Sequence, residues 1–222
     1  MGKLYSFLKR AVNLLSPRMK TLWEVPFVDE PCIFIGNHAG AFGPIDMSCK
    51  FPLTDRCHIW FNAAMAEPKE VPAYVRQDYW WRPGCRLEWL YNATLPYLAA
   101  ALIPPVLKSV PETVPVYHDN RVVTTMRKSL RYLKQGDYLV IFPEQPSGFQ
   151  SHHDWINTGW LNVAPMFYKM TGKNLTLYPV HIDYKKHEFR VAAPIRYDGE
   201  RTLEEQQDEI VSVLAKGLRG EK

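Results

Sequence analysis

A histidine in a glycine-containing loop is the residue of this chain best suited to do chemistry. Residues 37–46 read NHAGAFGPID, so Asn37 and His38 directly follow the apolar run CIFIG, and Asp46 comes eight positions after the histidine. An imidazole exchanges a proton near pH 7, and a carboxylate on its second ring nitrogen fixes the tautomer. A loop between a strand and a helix is also where open α/β sheets bind their ligands. His38 has no evident packing role, so it is the leading candidate for a functional residue.

Two further loops carry polar residues directly after apolar runs. The segment FPEQPSG places Pro143 and Glu144 after one predicted strand, and VPVYHDNR places His118 and Arg121 after another. The carboxyl ends of parallel strands meet at one edge of a sheet. We therefore expect these residues to converge on the loop of His38.

The carboxylates also have structural explanations. Asp46 lies in the first turn of the helix that Pro44 begins, where a negative charge stabilises the helix N-terminus. Asp119 can cap the next helix, and Glu144 can bind backbone amides in a turn. Considered one at a time, Asp46 and Asp119 fit the structural explanation better.

Short apolar runs alternate with segments of helical periodicity along the chain. This alternation predicts an α/β fold, a single domain with a largely parallel central sheet flanked by helices. The stretch 69–103 is expected to be helical in pieces, broken at Pro83, Pro96 and Pro104. The predicted strands are CIFIG, HIWFNA, VPVYH, YLVIF, NLTLYPVHIDY and HEFRVAAPIRY. The other predicted helices are one from Pro44 to before Pro52, and those at 121–135, 159–171 and 202–218.

Residues 1–23 predict an amphipathic, basic N-terminal helix, stopped by Pro17, ahead of an α/β domain at 24–222. Two interpretations stay open. The helix packs on its own domain, or it lies in an anionic membrane interface, where Tyr5 and Trp23 suit the depth. Charges interrupt the apolar residues, so we expect neither a membrane span nor a secretory signal here.

The composition is that of an ordinary globular chain. With 222 residues, 46% of them hydrophobic and 23% charged, the chain can bury a core and is neither disordered nor collagen-like. The net charge of +4, from 27 basic and 23 acidic residues, is too small and scattered to predict binding to nucleic acid. The four cysteines lack the spacing of a zinc site, so we expect thiols in a reducing compartment.

Four segments, in this order, resemble the motifs of the PlsC-type glycerolipid acyltransferases, the lysophosphatidate acyltransferase family. They are NHAGAFGPID, VPVYHDNR, LVIFPEQPSG and LTLYPVHIDY, within about residues 30–198. The resemblance implies an acyltransferase-like domain that moves a fatty acyl group from acyl-CoA or acyl-carrier protein to a lysolipid hydroxyl. It implies that His38 is the general base and Asp46 its partner. It implies that Glu144 helps to bind the acceptor, and we expect substrate binding by Asn37, His118, Arg121, Pro143 and Glu144.

The chain departs from the family pattern in each of the first three motifs. Seven residues separate His38 from Asp46 where the family has four, and eight positions of a helix climb about 12 Å. A hydrogen bond between the two therefore needs residues 38–43 to fold back over the helix start. The second motif has His118 close to where the family has an arginine, and the third has Gln-Pro-Ser in place of Gly-Thr-Arg. Arg121 is the candidate replacement for one phosphate-binding arginine.

Residues and resemblance together predict an acyl-CoA-dependent O-acyltransferase for a lysophospholipid or related lipid. We expect a cytoplasmic protein that is peripherally associated with the inner face of the cell membrane and binds its anionic surface. No metal or cofactor is expected, since the acyl donor is a co-substrate, and the aromatic-rich stretch 79–107 is either a wall for the acyl chain or plain core. Two alternatives stay open. One is an inactive lipid- or acyl-carrier-binding protein of the same fold, and the other, ranked last, a metal hydrolase using His152, His153 and Asp154.

Overall fold

A mostly parallel sheet flanked by helices organises the chain, which confirms the predicted α/β fold class. The computed structural model describes residues 3–39, 42–77, 84–110, 113–144 and 156–221. The strands are β1 (Lys20–Trp23), β2 (Cys32–Gly36), β3 (Cys57–Asn62), β4 (Val114–Val116), β5 (Tyr138–Ile141), β6 (Thr176–Asp183), β7 (Glu188–Val191) and β8 (Ile195–Arg196). The α-helices are α1 (Lys3–Leu15), α2 (Phe42–Lys50), α3 (Val71–Gln77), α4 (Glu88–Ser109), α5 (Val122–Gln135), α6 (Val163–Thr171) and α7 (Leu203–Arg219).

The strand order brings the candidate loops to one edge of the sheet. It runs β1-β7-β6-β2-β5-β3-β4, with β8 paired to β6. The strands from β6 to β4 in this order are parallel, whereas β7 is antiparallel to β6. Ile35 of β2 pairs with Ile141 of β5. The chain positions three residues further along, His38 and Glu144, therefore leave the sheet at the same height.

Each face of the sheet has its own apolar core. Helices α5, α6 and α7 cover one face, with Leu133, Phe167 and Leu214 fully buried. On the other face, Met47 and Phe51 at α2 pack on the aromatic rings of the central strands. Side chains alternate along a strand, so even-numbered residues of β2 and β5 lie on the face that α2 covers.

The N-terminal segment contains the predicted helix, and after Pro17 it contains a strand that the sequence did not predict. The helix α1 ends at Leu15, before Pro17, and Lys20–Trp23 forms an edge strand paired with β7. The predicted boundary at residue 23 therefore does not separate a helix from the sheet. Four residues with alternating exposure form β1 because they complete the edge of β7, a long-range reason that the local pattern does not contain.

The two aromatic residues predicted for a membrane interface belong to the protein's own packing. Tyr5 is buried, and its hydroxyl donates a hydrogen bond to the Ser48 carbonyl at 2.9 Å. The ring of Trp23 packs on those of Phe27 and Phe34, with centroids 5.0 and 6.2 Å away. Helix α1 thus lies against α2 and α4, as the first of the two interpretations predicted.

Helix α4 runs unbroken through Pro96 and Pro104, where the sequence predicted breaks; Pro83 lies outside the described residues. Pro96 cannot donate to the carbonyl of Asn92, four residues earlier. That carbonyl instead accepts a hydrogen bond from Arg76 Nη2 at 3.3 Å. By length and composition, α4 is the one helix in the described part of the chain that could cross a membrane, and 17% of its apolar window is buried.

Candidate functional site

The side chain of Asn37 holds the end of β2 against β6. Its Oδ1 accepts a hydrogen bond from the Ile182 N–H at 2.6 Å, and its Nδ2 donates to the Ile182 carbonyl at 3.4 Å. The amide thereby continues the strand pairing beyond Gly36, where the main chain leaves the sheet. These bonds give Asn37 a positioning role, and its predicted contact with the acceptor stays a prediction.

The backbone of His38 lies directly against the first turn of α2. A Cβ on Gly43 would lie 2.1 Å from the His38 carbonyl oxygen, so no side chain fits at this position. Ala39 has a φ of +44°, a left-handed conformation that few residues other than glycine adopt. The chain at His38 is therefore folded back against the start of α2. A hydrogen bond between His38 and Asp46 requires this fold. The other loop glycine, Gly40, lies outside the described residues.

Glu144 joins the loop after β5 to the loop after β2. Its Oε2 accepts a hydrogen bond from the backbone N–H of His38 at 2.5 Å. Desolvation raises the pKa of the Glu144 carboxyl above its ordinary value of 4.5, although the bond from His38 opposes this shift. The preceding residue, Pro143, is buried, and its carbonyl accepts from the Asn157 N–H at 2.8 Å. The structure thus brings His38 and Glu144 together, as the sequence predicted, through a backbone contact.

The imidazole of His38 is half-buried beside an aromatic ring. It packs edge-to-face on Phe142, with the ring centroids 5.5 Å apart. Phe142 itself lies close to Gly36, where a Cβ would come within 2.7 Å of the phenyl ring. Glycine at position 36 thus leaves the space that Phe142 occupies under the histidine.

Asp46 forms a buried ion pair inside α2. Its Oδ1 lies 2.8 Å from Lys50 Nζ, one helical turn later, and both side chains are buried. The hydroxyl of Tyr184 lies near the same carboxylate, and burial together with this charge raises the pKa of Tyr184. These contacts agree with the structural explanation of Asp46. A contact of Asp46 with the His38 ring stays a prediction.

The loop after β4 carries the predicted residues His118 and Arg121. The guanidinium of Arg121 forms an exposed ion pair with Asp119, at 2.7 Å between Nη2 and Oδ2, and lies over the ring of Tyr117. This pairing lowers the pKa of Asp119 to about 2. Strand β4 is three positions from β2 in the sheet, or about 14 Å at the usual strand spacing. The residues after β4 therefore lie at the same carboxyl edge as His38, but β5 and β3 separate their strand from β2.

Sequence reasoning missed two residues near the site. Lys50 is one: its spacing of four from Asp46 on a helix is a known signal for an ion pair and could have identified it. The other is His181, which the sequence suggested only as a satisfied residue of the strand YPVHIDY; in the structure it is close enough to Glu144 to oppose the rise in the pKa of that carboxyl. Its Nδ1 is 2.7 Å from the Leu218 carbonyl oxygen, in agreement with its interpretation as a satisfied sheet residue. That partner comes from α7, 37 residues away, so no local pattern announces it.

The third predicted constellation falls on residues that the structure does not describe. His152, His153 and Asp154 all lie in the segment 145–155. Within the described ranges, no three His, Cys, Asp or Glu side chains are placed to hold a metal ion.

The arrangement at the carboxyl edge suits proton transfer at a surface. It offers a half-buried imidazole, a carboxylate with a raised pKa and the amides that open α2, although Pro44 supplies no N–H to that turn. Comparison with protein-family models, curated proteins and solved structures found no match to this chain.

Proposed function

We propose that this protein is an O-acyltransferase related to the PlsC type, which moves a fatty acyl group from acyl-CoA or acyl-carrier protein to a lipid hydroxyl. The observation that carries the proposal is the contact between His38 and Glu144 at the carboxyl edge of the sheet. These residues are 106 positions apart, and they come from the first and third of the four segments that resemble the family motifs.

In the proposed reaction, the His38 imidazole removes the proton of the acceptor hydroxyl as its oxygen attacks the thioester carbonyl. Such general-base catalysis contributes roughly 10²–10⁴-fold to a rate. The first-turn amides of α2 stabilise the oxyanion of the tetrahedral intermediate, because helix N-termini attract negative charge. The thiolate then leaves with the proton from the imidazolium, and an ester has formed.

Glu144 has a positioning role for the base and a binding role for the acceptor. Its bond to the His38 N–H fixes the loop, and its second oxygen can accept from an acceptor hydroxyl. Arg121, already paired with Asp119, would bind an acceptor phosphate only by exchanging this partner. Asp46 supports the site through its buried pair with Lys50, which braces the helix whose start meets His38.

The proposed setting is the cytoplasmic surface of a membrane, where a lysophospholipid presents its hydroxyl. The test incubates purified protein with labelled acyl-CoA, or labelled acyl-carrier protein, and a panel of lysolipids dispersed in detergent. His38→Ala is compared with wild type, and His187→Ala, in the turn before β7, serves as a matched histidine control. We expect transfer by wild type and the control and its loss in His38→Ala; equal turnover by all three would refute the role of His38.

A second candidate is a protein of the same fold that binds lipid or acyl-carrier protein without chemistry. Two observations favour it: the Asp46 carboxylate has Lys50 as its partner, and the Arg121 guanidinium has Asp119. In the same assay, tight binding of a lysolipid or carrier protein with no product from any acceptor would support this candidate.

A further inference from the structure

One face of α4 is apolar and uncovered along most of the helix. No charged residue lies between Glu88 and Lys108, and the exposed side chains recur twice in each turn. The exposed fractions reach 71% for Trp89, 55% for Leu98 and 58% for Leu102. The 22 residues of the helix extend about 33 Å, so the exposed face is a continuous apolar patch, whereas single exposed leucines are common on protein surfaces.

The opposite face of α4 is packed on the protein. Pro96, Ala99 and Pro104 are buried there, against α3 and the 3-10 turn Ala63–Ala66. The Arg76 bond to the Asn92 carbonyl ties the two helices together. The helix is therefore a surface element held flat on the domain, and crossing a bilayer would cost these contacts.

Cations border the exposed face. Arg86 precedes the helix and Lys108 lies in its last turn, and both are exposed. Arg76 lies over the ring of Tyr97, 5.5 Å from its centroid.

An apolar stripe bordered by cations matches the chemistry of an anionic bilayer surface. The acyl region takes up leucine side chains, and the acidic headgroups attract Lys and Arg. Tryptophan and tyrosine, amphipathic side chains, are enriched at the depth of the headgroups. Tyr97 lies on the exposed face, and Trp89 is exposed in the first turn of the helix.

We propose that the exposed face of α4 docks the protein flat onto an anionic membrane surface. The inference rests on the proposed function only for its purpose, which is to bring the carboxyl edge of the sheet to a lipid acceptor. It places the membrane contact on α4, whereas the sequence offered a membrane contact of the N-terminal helix as one of two open interpretations.

The test measures co-sedimentation of the full chain with vesicles of phosphatidylcholine alone and of equimolar phosphatidylcholine and phosphatidylglycerol. Leu98→Glu/Leu102→Glu puts two charges on the exposed face of α4. Met166→Glu/Met170→Glu is the matched control, because this pair has the same spacing on α6, is also exposed, and lies on the sheet face opposite α2. Circular dichroism and the unfolding midpoint check each fold, and Leu98→Ser/Leu102→Ser replaces the first variant if it does not fold.

We expect wild type and the α6 control to bind the anionic vesicles, less tightly at high salt, and the α4 variant to bind at least about tenfold more weakly. Brominated acyl chains should quench part of the tryptophan fluorescence of wild type, and Trp89→Phe should remove that part. Equal binding by both double variants, or no binding by wild type, would overturn the proposal. A dimer in solution that the α4 variant converts to monomer would also overturn it, because the face would then join two copies.

Acyl transfer to detergent-dispersed lysolipid separates this proposal from the proposed function. Vesicle binding without transfer to any acceptor would support the docking proposal and refute the proposed acyltransferase activity. Transfer in detergent by a protein that does not bind vesicles does the reverse.

Discussion

Two histidines of this protein lie near carboxylates at opposite edges of the same sheet. At the amino edge, Nε2 of His58 is 3.1 Å from Oδ2 of Asp137, a distance expected of a catalytic pair. At the carboxyl edge, Glu144 binds the backbone N–H of His38. By distance alone, His58 is the better candidate for an active histidine.

The surroundings reverse that ranking. His58 is 4% exposed, and its ring stacks on Tyr132 at 3.6 Å with an interplanar angle of 5°. No substrate reaches a ring that is covered in this way. His38 is half-buried at the edge where parallel sheets bind ligands. A short distance to a carboxylate therefore identifies a hydrogen bond, and access and position decide whether it can serve a reaction.

The largest effect should come from His38→Ala, which removes the proposed base. We expect kcat to fall by about 10²–10⁴-fold, with little change in the free energy of unfolding, because the ring is half-buried. Steady-state kinetics and urea denaturation check the two halves of this prediction. A large loss of stability with unchanged kcat per folded molecule would place His38 in the class of His58.

Asp46→Ala tests whether Asp46 has a structural role, like the His58–Asp137 pair, or acts on His38. Removing the carboxylate takes away the negative charge that balances the buried Lys50 ammonium, which should cost roughly 3–5 kcal/mol in the free energy of unfolding. We expect kcat per folded molecule to stay close to that of wild type. A fall in kcat together with a changed pH–rate profile would instead show that Asp46 acts on His38.

His58→Ala should show the opposite pattern to His38→Ala. It removes a buried, stacked ring and the partner of Asp137, and we expect a loss of about 2–4 kcal/mol in stability. Transfer by the remaining folded protein should be unchanged. Activity that disappears while the protein stays folded would contradict the assignment of His58 to the structural class.

The smallest effect concerns the pH dependence of stability at Glu144. Since its pKa is raised in the folded state, the unfolded chain loses this proton first as the pH rises above 4.5. The free energy of unfolding therefore falls as the pH rises from about 4.5 to the raised pKa of Glu144. Above the raised pKa, this loss of stability stays constant. Glu144→Gln should lack this fall in stability. The free energy of unfolding of the variant, minus that of wild type, should therefore increase as the pH rises above about 4.5. Urea denaturation across a pH series measures this difference, and a constant difference at every pH would count against it.

The sequence predicted the elements whose signals are local. CIFIG became β2 without a shift, and the glycines at 136 and 172 end α5 and α6 in left-handed conformations. What it missed depends on distant partners. The strand β1 exists because β7 offers an edge, and α4 passes through Pro96 because Arg76 satisfies the carbonyl left open.

The candidate site divides in the same way. The spacing of strands and loops predicted that His38 and Glu144 meet, and they do. The pairing of Arg121 with Asp119 and the distance of β4 across the sheet were not predictable, because neither the side-chain conformation nor the strand order is written in the motifs. The bond of Asn37 to Ile182 was equally hidden, since its partner is 145 residues away.

The last turn of α2 is fastened to the N-terminal segment by three hydrogen bonds. Tyr5 donates to the Ser48 carbonyl, Asn13 donates to the Cys49 carbonyl at 3.4 Å, and Lys50 donates to the Pro17 carbonyl at 2.9 Å. The other end of this nine-residue helix touches the main chain of His38. Trimming the first nineteen residues would therefore release both the helix and the loop that depends on it. A shortened protein that loses activity could owe that loss to a displaced catalytic loop even where its attachment to lipid is intact.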